Sequence, residues 1–323
     1  MAACPEPPAS EQIVELARIG AADLDPLLVE EVAAWRARLH WDFGPAADLV
    51  RRYVSMRALN GFALVVDSRT AGYSYFVCEE RKGLVGDLFV SAERHSPSNE
   101  RRLLEATVRA MMETPAVRRI ESQLMMLGTL PRAGTPFQAF AQLYDRRFMV
   151  IDLEGRTPPA PGKPAHSVSI NSWDDRFHED AAHLIPAAYA GHIDARINDQ
   201  YCSVAGSRRF LTNIAQYPGC GAFFPKASMV AFRPGSRSLC GLSLASLVAP
   251  DIGHITQVCV APEVRGSGVG YELLRRSLAV LESHGCRKVS LTVTAANRNA
   301  VELYERLGFR TAQMFSAVVW EGF

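Results

Sequence analysis

EVRGSGVGYELL, residues Glu263 to Leu274, is the stretch on which the reading of this 323-residue chain turns. It follows a β-branched run, ITQVCV from Ile255 to Val260, that ends at Ala261-Pro262 and has the composition of a strand. From Tyr271 onward Leu274, Leu278 and Leu281 recur at helical spacing, with Gly285 placed to end the helix. A glycine-rich turn between a strand and a helix presents bare backbone N–H groups at the positive end of the helix, which suits a phosphate group. Glycines also serve tight bends and close packing, so their number alone leaves a ligand-free turn open. Two familiar phosphate loops are excluded. Gly270 is followed by Tyr271 where a P-loop requires Lys and then Ser or Thr, and the glycine spacing is not that of a dinucleotide fingerprint.

Beyond the helix, KVSLTVTA alternates Val289, Leu291 and Val293 with Ser290, Thr292 and Thr294, the period of a strand with two unlike faces. Asn299 is then placed to cap a short helix carrying Ala300, Leu303, Tyr304 and Leu307 on one side and ending at Gly308. Upstream, the Pro-rich stretch GRTPPAPGKP divides the chain near its middle. The first half repeats the second: LFVSAERHSPSNERRLL aligns on VCVAPEVRGSGVGYELL without a gap, placing Val90 opposite Val260, Glu93 opposite Glu263 and Leu104 opposite Leu274. LYDRRF, Leu143 to Phe148, matches LYERLGF, Leu303 to Phe309, with Tyr144 opposite Tyr304 and the surplus residues assigned to the loop Gly128 to Pro136. Two packed α/β domains are expected, residues 1–155 and 166–323, joined by a linker over 156–165.

Composition narrows the partners. With 48% hydrophobic and 21% charged residues the chain is an ordinary globular one, and 35 Lys and Arg against 34 Asp and Glu leave a formal net charge of +1. No global field is available to grip a polyanion or an anionic membrane, so nucleic acid and membrane are not expected partners. The seven cysteines are scattered without a Cys-x-x-Cys pair, which encodes neither a disulfide framework nor a zinc ribbon. The start, MAACPEPPASEQ, lacks a basic region followed by an apolar one, and a cytoplasmic location is the expectation.

Arg265-Gly-x-Gly-x-Gly270 between a strand and an amphipathic helix, with Asn297, Asn299, Ala300, Leu303, Tyr304, Leu307, Gly308 and Phe309 following, resembles the GNAT superfamily of N-acetyltransferases. The strong resemblance runs from Ile255 to about Val319. It implies two tandem GNAT-like domains, each a mixed, mostly antiparallel twisted sheet flanked by helices, and acetyl-CoA as acyl donor with no metal. The implied cofactor-binding residues are Val258, Cys259 and Val260 on the strand, then Arg265, Gly266, Ser267, Gly268, Val269, Gly270 and Tyr271 on the loop and helix start, with Asn297 and Asn299. Tyr304 matches the tyrosine that faces the departing thiolate. Family members with a side-chain base carry it near the place of His254, and others use water; Gln257 can orient but not accept an ammonium proton. The expected activity is acetyl transfer to a primary amine of a small molecule by direct attack in a ternary complex. The alternatives are a non-catalytic acyl-CoA-binding or sensor module, and transfer of a longer acyl or aminoacyl group.

The remaining clusters are weaker signals. HEDAAH, His178 to His183, spaces its histidines five apart instead of the four that put two imidazoles on one helical face, so a solvated helix is expected. In YAGHIDARINDQY, Tyr189 to Tyr201, the residues His192, Asp194, Arg196 and Asp199 either recognise a polar acceptor or form an exposed ion-paired loop. Cys259 reads as a small buried hydrophobe. In the first half His95, Ser98 and Glu100 replace Arg265, Gly268 and Gly270, and Pro97 lies in the turn, all hostile to a diphosphate. That copy is expected to be degenerate, with Tyr73, Tyr75, Glu79, Glu80 and Asp87 offered to an acceptor cleft.

Overall fold

The computed structural model describes residues 11–156, 159–161, 168–217, 219–233, 235–236 and 238–323. The first ten residues and most of the Pro-rich linker lie outside the described residues. In chain order the elements begin with β1 (Glu11–Glu15), α1 (Ala21–Leu39), α2 (Gly44–Ser55), β2 (Asn60–Val66), β3 (Arg69–Glu79), β4 (Lys82–Val90), α3 (Pro97–Met112) and β5 (Arg119–Gln123). They continue with β6 (Ala141–Asp152), β7 (Ser169–Ser172), α4 (His178–Tyr189), α5 (Asp194–Ile197), α6 (Val204–Gln216), β8 (Ala222–Phe223) and β9 (Met229–Phe232). The last are β10 (Leu239–Ala249), β11 (Ile252–Val260), α7 (Val269–Ser283), β12 (Lys288–Thr294), α8 (Arg298–Arg306) and β13 (Arg310–Glu321).

Contacts divide these into two compact units that do not follow chain order. One holds the described residues up to Leu39, then Phe43–Leu143 and Phe315–Phe323; the other holds His40–Asp42 and Tyr144–Met314. In the first unit β1 to β4 pair antiparallel in sequence order, β4 pairs parallel with β5, and β5 takes the last part of β13 antiparallel. In the second, β6 pairs antiparallel with β12, β12 parallel with β11, and β10, β9 and β7 continue antiparallel. Each is a mixed, mostly antiparallel sheet flanked by helices. Each sequence half thus gives the end of its last strand to the other unit, with Ala317–Glu321 set against Arg119–Gln123.

The two sheets contain the same device. In the first unit the parallel pairing of β4 with β5 stops at Val85↔Ser122, and the next residue, Gly86, is the extra one in a bulge against β3. In the second, β11 stops pairing with β12 at Ile255↔Leu291, and Thr256 is the extra residue against β10. A bulge bends and twists its strand, so each strand turns from its parallel neighbour at the same point. The aligned segments VCVAPEVRGSGVGYELL and LFVSAERHSPSNERRLL therefore occupy equivalent places. The second sequence match does not hold: Tyr144 lies in strand β6 and Tyr304 in helix α8. The structural counterpart of β6 is β13, so the surplus assigned to Gly128 to Pro136 disappears.

In the first unit the opened strand is sealed from within. Tyr73, fully buried, donates its hydroxyl to Glu31 Oε2 at 2.7 Å, and Trp35 Nε1 donates to Oε1 at 3.3 Å. Burial, then the charge of Asp87, holds the Glu31 carboxyl protonated well above the usual range, and burial raises Asp87 to about 6. Tyr73 and Asp87, offered above to a cleft, are thus buried around the Glu31 carboxyl. Because these folded-state values lie above the unfolded ones, the two carboxyls' contribution to stability is complete below about pH 4. It is lost as pH rises through about 6 and beyond. Asp87→Asn should flatten the fall in unfolding free energy between pH 4 and 6; parallel wild-type and variant profiles in urea titrations would contradict this.

Candidate active site

The site is built from the second unit, starting with peptide groups. Ala261 N–H donates to Cys240 O at 2.9 Å, so by the two-residue alternation of a strand Cys259 also faces β10, while Val258 and Val260 turn their peptide groups to the open side. There β12 no longer pairs. The Val258 carbonyl accepts from the Tyr189 hydroxyl at 3.1 Å and the Val260 carbonyl from Arg265 Nε at 3.4 Å, which leaves the two N–H groups toward the opening.

The loop that follows completes this edge. A 3-10 turn, Pro262–Val264, leads to Gly266 at φ 73° and Gly268 at φ 86°, conformations that an L side chain resists. Gly268 is the N-cap of α7 and no side chain caps that end. The first intrahelical bond is Glu272 N–H to Gly268 O at 3.1 Å, so the amides of Val269, Gly270 and Tyr271 have no partner within the helix. A Cβ on Gly270 would meet Val260 and Leu303 only at 3.5 and 3.7 Å, so the protein itself does not require glycine there, whereas a ligand pressed on that backbone would. In α3 the same end is closed: Ser96 Oγ accepts from Asn99 N–H at 3.1 Å, Pro97 occupies the first turn, and the Glu100 carboxylate stands there against His95 at 2.9 Å. The first-half substitutions thus replace an open amide end by a self-capped, acidic one.

Tyr304, on α8, is buried with its ring edge-on to Phe309 at 6.0 Å. Burial, then the Asp194 carboxylate, raises its phenol above the ordinary tyrosine range, with Arg146 opposing, so it is a proton donor at neutral pH. Asp194 anchors a polar cluster here. It accepts from the Thr294 hydroxyl and faces Arg146 Nη1 at 3.5 Å, and Arg146 donates to Thr294 and Thr292 hydroxyls at 3.2 and 3.1 Å. Tyr189 stacks on Tyr201 with ring centroids 4.6 Å apart. Asp194 is thus ion-paired and largely buried instead of lying on an exposed loop.

Other residues singled out from the sequence fall in different places. His254 lies in the paired part of β11, 4% exposed, with Nδ1 2.9 Å from Ser290 Oγ and the Trp41 ring edge-on at 4.7 Å. Burial pushes it down to about 3. A ring so placed stays neutral and cannot hold an ammonium proton at neutral pH, so the role of base does not survive its burial. Its folded value lies below the unfolded 6.5, hence its contribution to stability is present above about pH 6.5 and lost as pH falls toward 3, at about 1.4 kcal/mol per pH unit. His254→Gln should remove that slope between pH 6.5 and 5 in urea titrations; an unchanged slope would contradict it.

Arg265 spends its guanidinium on the Ala188 and Val260 carbonyls, bracing α4 against β11. The Tyr271 hydroxyl donates to Ala160 O at 3.0 Å. The cap of α8 is Asn297, whose side chain accepts from Ala300 N–H at 3.3 Å, while Asn299 lies exposed inside the helix, two residues later than the cap position expected for it. Cys259 is buried and its thiol is pushed up to about 12 by burial, in keeping with a packed side chain. HEDAAH opens α4 with Glu179, Asp180 and His183 exposed and Ala181 and Ala182 buried, and His183 lies 3.3 Å from Glu179. No group of side chains suited to a metal ion occurs among the described residues, and no described helix is long and apolar enough to cross a membrane. Tyr189, Arg146 and Trp41 carried no sequence signal, the last two because they come from before the linker.

Residues 189–309 match the model of the acetyltransferase (GNAT) family. Mycothiol acetyltransferase of Corynebacterium glutamicum is 38% identical over 96 residues, 30% of this chain and 32% of that protein, so the match spans about a third of the relative's length. In fold, a GCN5-related N-acetyltransferase from Sphaerobacter thermophilus superposes with a TM-score of 0.67 at 18% identity, covering 96% of this chain and 95% of that one. A tandem GNAT protein from the clavulanic acid biosynthesis pathway gives 0.62 at 16% identity, covering 97% and 98%. The bulged, splayed strand, the uncapped glycine turn and these likenesses coincide on one segment, and residues 189–309, a little over a third of the chain, match the GNAT acetyltransferase family.

Proposed function

We propose that the second unit transfers an acetyl group from acetyl-CoA to a primary amine of a small molecule, and that the first unit is a degenerate copy without donor-binding capacity. The observation that carries this is the uncapped start of α7 beside the unpaired edge of β11. The residues fit such a donor. Amides from Gly268 to Tyr271 suit a diphosphate, the Val258 and Val260 N–H groups suit the carbonyls of a pantetheine arm, and Gly270 leaves room for close approach. When bound, the donor supplies an activated thioester. Tyr304 gives a proton or hydrogen bond to the sulfur as it leaves, and burial of the cluster around it limits competing water. The name of the mycothiol relative favours a small-molecule acceptor. Calorimetry with acetyl-CoA tests the donor site and CoA release across a panel of amines tests turnover. Binding without turnover of any amine would favour an acyl-CoA sensor, and tighter binding of a longer acyl-CoA would favour a different donor.

A further inference from the structure

The side-chain amide of Gln257 has one end engaged and the other open. Oε1 accepts from the Tyr189 hydroxyl at 3.2 Å, while Nε2 is buried without a hydrogen-bond partner from the protein, in a residue only 6% exposed. Two N–H donors withheld from solvent and left unpaired are costly, and an oxygen brought by a ligand removes that cost. Ser246 Oγ, fully buried, is a second group of this kind. Across β10 and β11, Gln257 pairs with Leu244 and Ser246 with His254, and Leu244 and Ser246 are two residues apart on one strand. The two open groups therefore lie on one face of the sheet. Ala245 and its partner Ile255 face the other way, and Ile255 packs there with Leu291 and Tyr304 in one apolar cluster. Gln257 is the first residue of β11 beyond the bulge at Thr256, where the strand has left β12. It thus stands at the mouth of the gap between these strands, adjoining Val258, on the face away from the phenol assigned to sulfur.

We propose that Gln257 is a specificity-determining residue of this site: its Nε2, with Ser246 Oγ on the same face, holds a neutral carbonyl oxygen of the acceptor and so selects amines that carry a carbonyl on the adjoining carbon. The inference deepens the reading of the second unit as an amine acetyltransferase and rests on it. Three observations set the ligand class. Gln257 Nε2 only donates and the Ser246 hydroxyl has its own hydrogen to give, so the matching atom is a pure acceptor. Arg146, bonded to Thr292 and Thr294, is already balanced by Asp194, which favours a neutral carbonyl over a carboxylate. Gln257 directly precedes Val258, whose N–H is offered to the donor, so the oxygen it holds and the attacking nitrogen must be only a few atoms apart. The other end of the amide is fixed for this role by Tyr189, whose hydroxyl also donates to the Val258 carbonyl at 3.1 Å and so ties the Gln257 side chain to the donor edge. A site built on hydrogen bonds to a substrate oxygen discriminates against analogues lacking it, because its own buried groups are then left unpaired.

The test compares glycinamide with isobutylamine, which has the same branched skeleton and no carbonyl. With acetyl-CoA the wild type should favour glycinamide, and Gln257→Leu should lower the ratio of kcat/KM for glycinamide to that for isobutylamine ~10- to 100-fold. A defect of packing alone would slow both amines alike, so an unchanged ratio would overturn the proposal. The Tyr189 hydroxyl keeps the Val258 carbonyl as its acceptor in this variant. Nitrogen and proton NMR of the wild-type protein gives a readout that needs neither turnover nor a variant. With CoA present, the Gln257 side-chain amide signals should move when glycinamide is added and stay in place with isobutylamine; signals unmoved by glycinamide, or moved equally by both amines, would overturn the proposal. Calorimetry with acetyl-CoA separates the underlying reading: absence of donor binding would refute that reading, while the same amide signals would still report on Gln257.

Discussion

Gly268→Glu should weaken acetyl-CoA binding by at least ~100-fold while leaving the fold intact. Two costs add at this position. The φ of 86° costs a side chain on the order of 1–2 kcal/mol, and the new carboxylate stands at the helix end where the diphosphate is expected. Like charges a few ångströms apart near a protein surface repel by about 2–4 kcal/mol at an effective dielectric of 20. The sum corresponds to two or more decades in Kd. The first unit supplies the natural control, because Glu100 stands in the first turn of α3. Calorimetry with circular dichroism checks both parts; micromolar affinity retained in a folded variant would remove the loop from the donor site.

Tyr304→Phe should reduce kcat ~100-fold or more with little change in donor affinity. The hydroxyl is the part removed, and burial with Asp194 nearby keeps that hydroxyl protonated. General acid assistance is worth roughly 100- to 10,000-fold when the departing group is a poor one, and a thiolate lies toward the lower end. The ring itself still fills its place against Phe309. Steady-state rates and calorimetry on the same preparation separate the two quantities. Unchanged turnover would take Tyr304 out of the proton path, and an equal loss in donor affinity would make it a binding residue instead.

What was legible in the sequence follows the range of the physics. The strand, turn and helix around Gly266 to Gly270 are local: β-branched residues, backbone demands and helical periodicity all act within a few positions. The N-cap was misplaced by two residues because Asn297 and Asn299 are equal candidates by type, and only the backbone says which precedes the first helical residue. LYDRRF was misread because so short a word satisfies both periods; β12, pairing Arg146 to Asp152 with Lys288 to Thr294, decides for a strand. The role given to His254 depended on exposure, which Trp41 removes from far earlier in the chain. Arg146 reaches the site because strand β6 belongs by contact to the second unit, although it precedes the linker. Such long-range placement leaves no mark within a window of sequence.

The central claim is that the open amides at the start of α7 hold the donor's diphosphate. Amide nitrogen and proton shifts recorded while CoA is added test it directly. The account predicts the largest changes at Gly268, Val269, Gly270 and Tyr271, with Asn99 and Glu100 at the start of α3 unmoved. Saturating CoA that shifts other amides and leaves those four in place would contradict it.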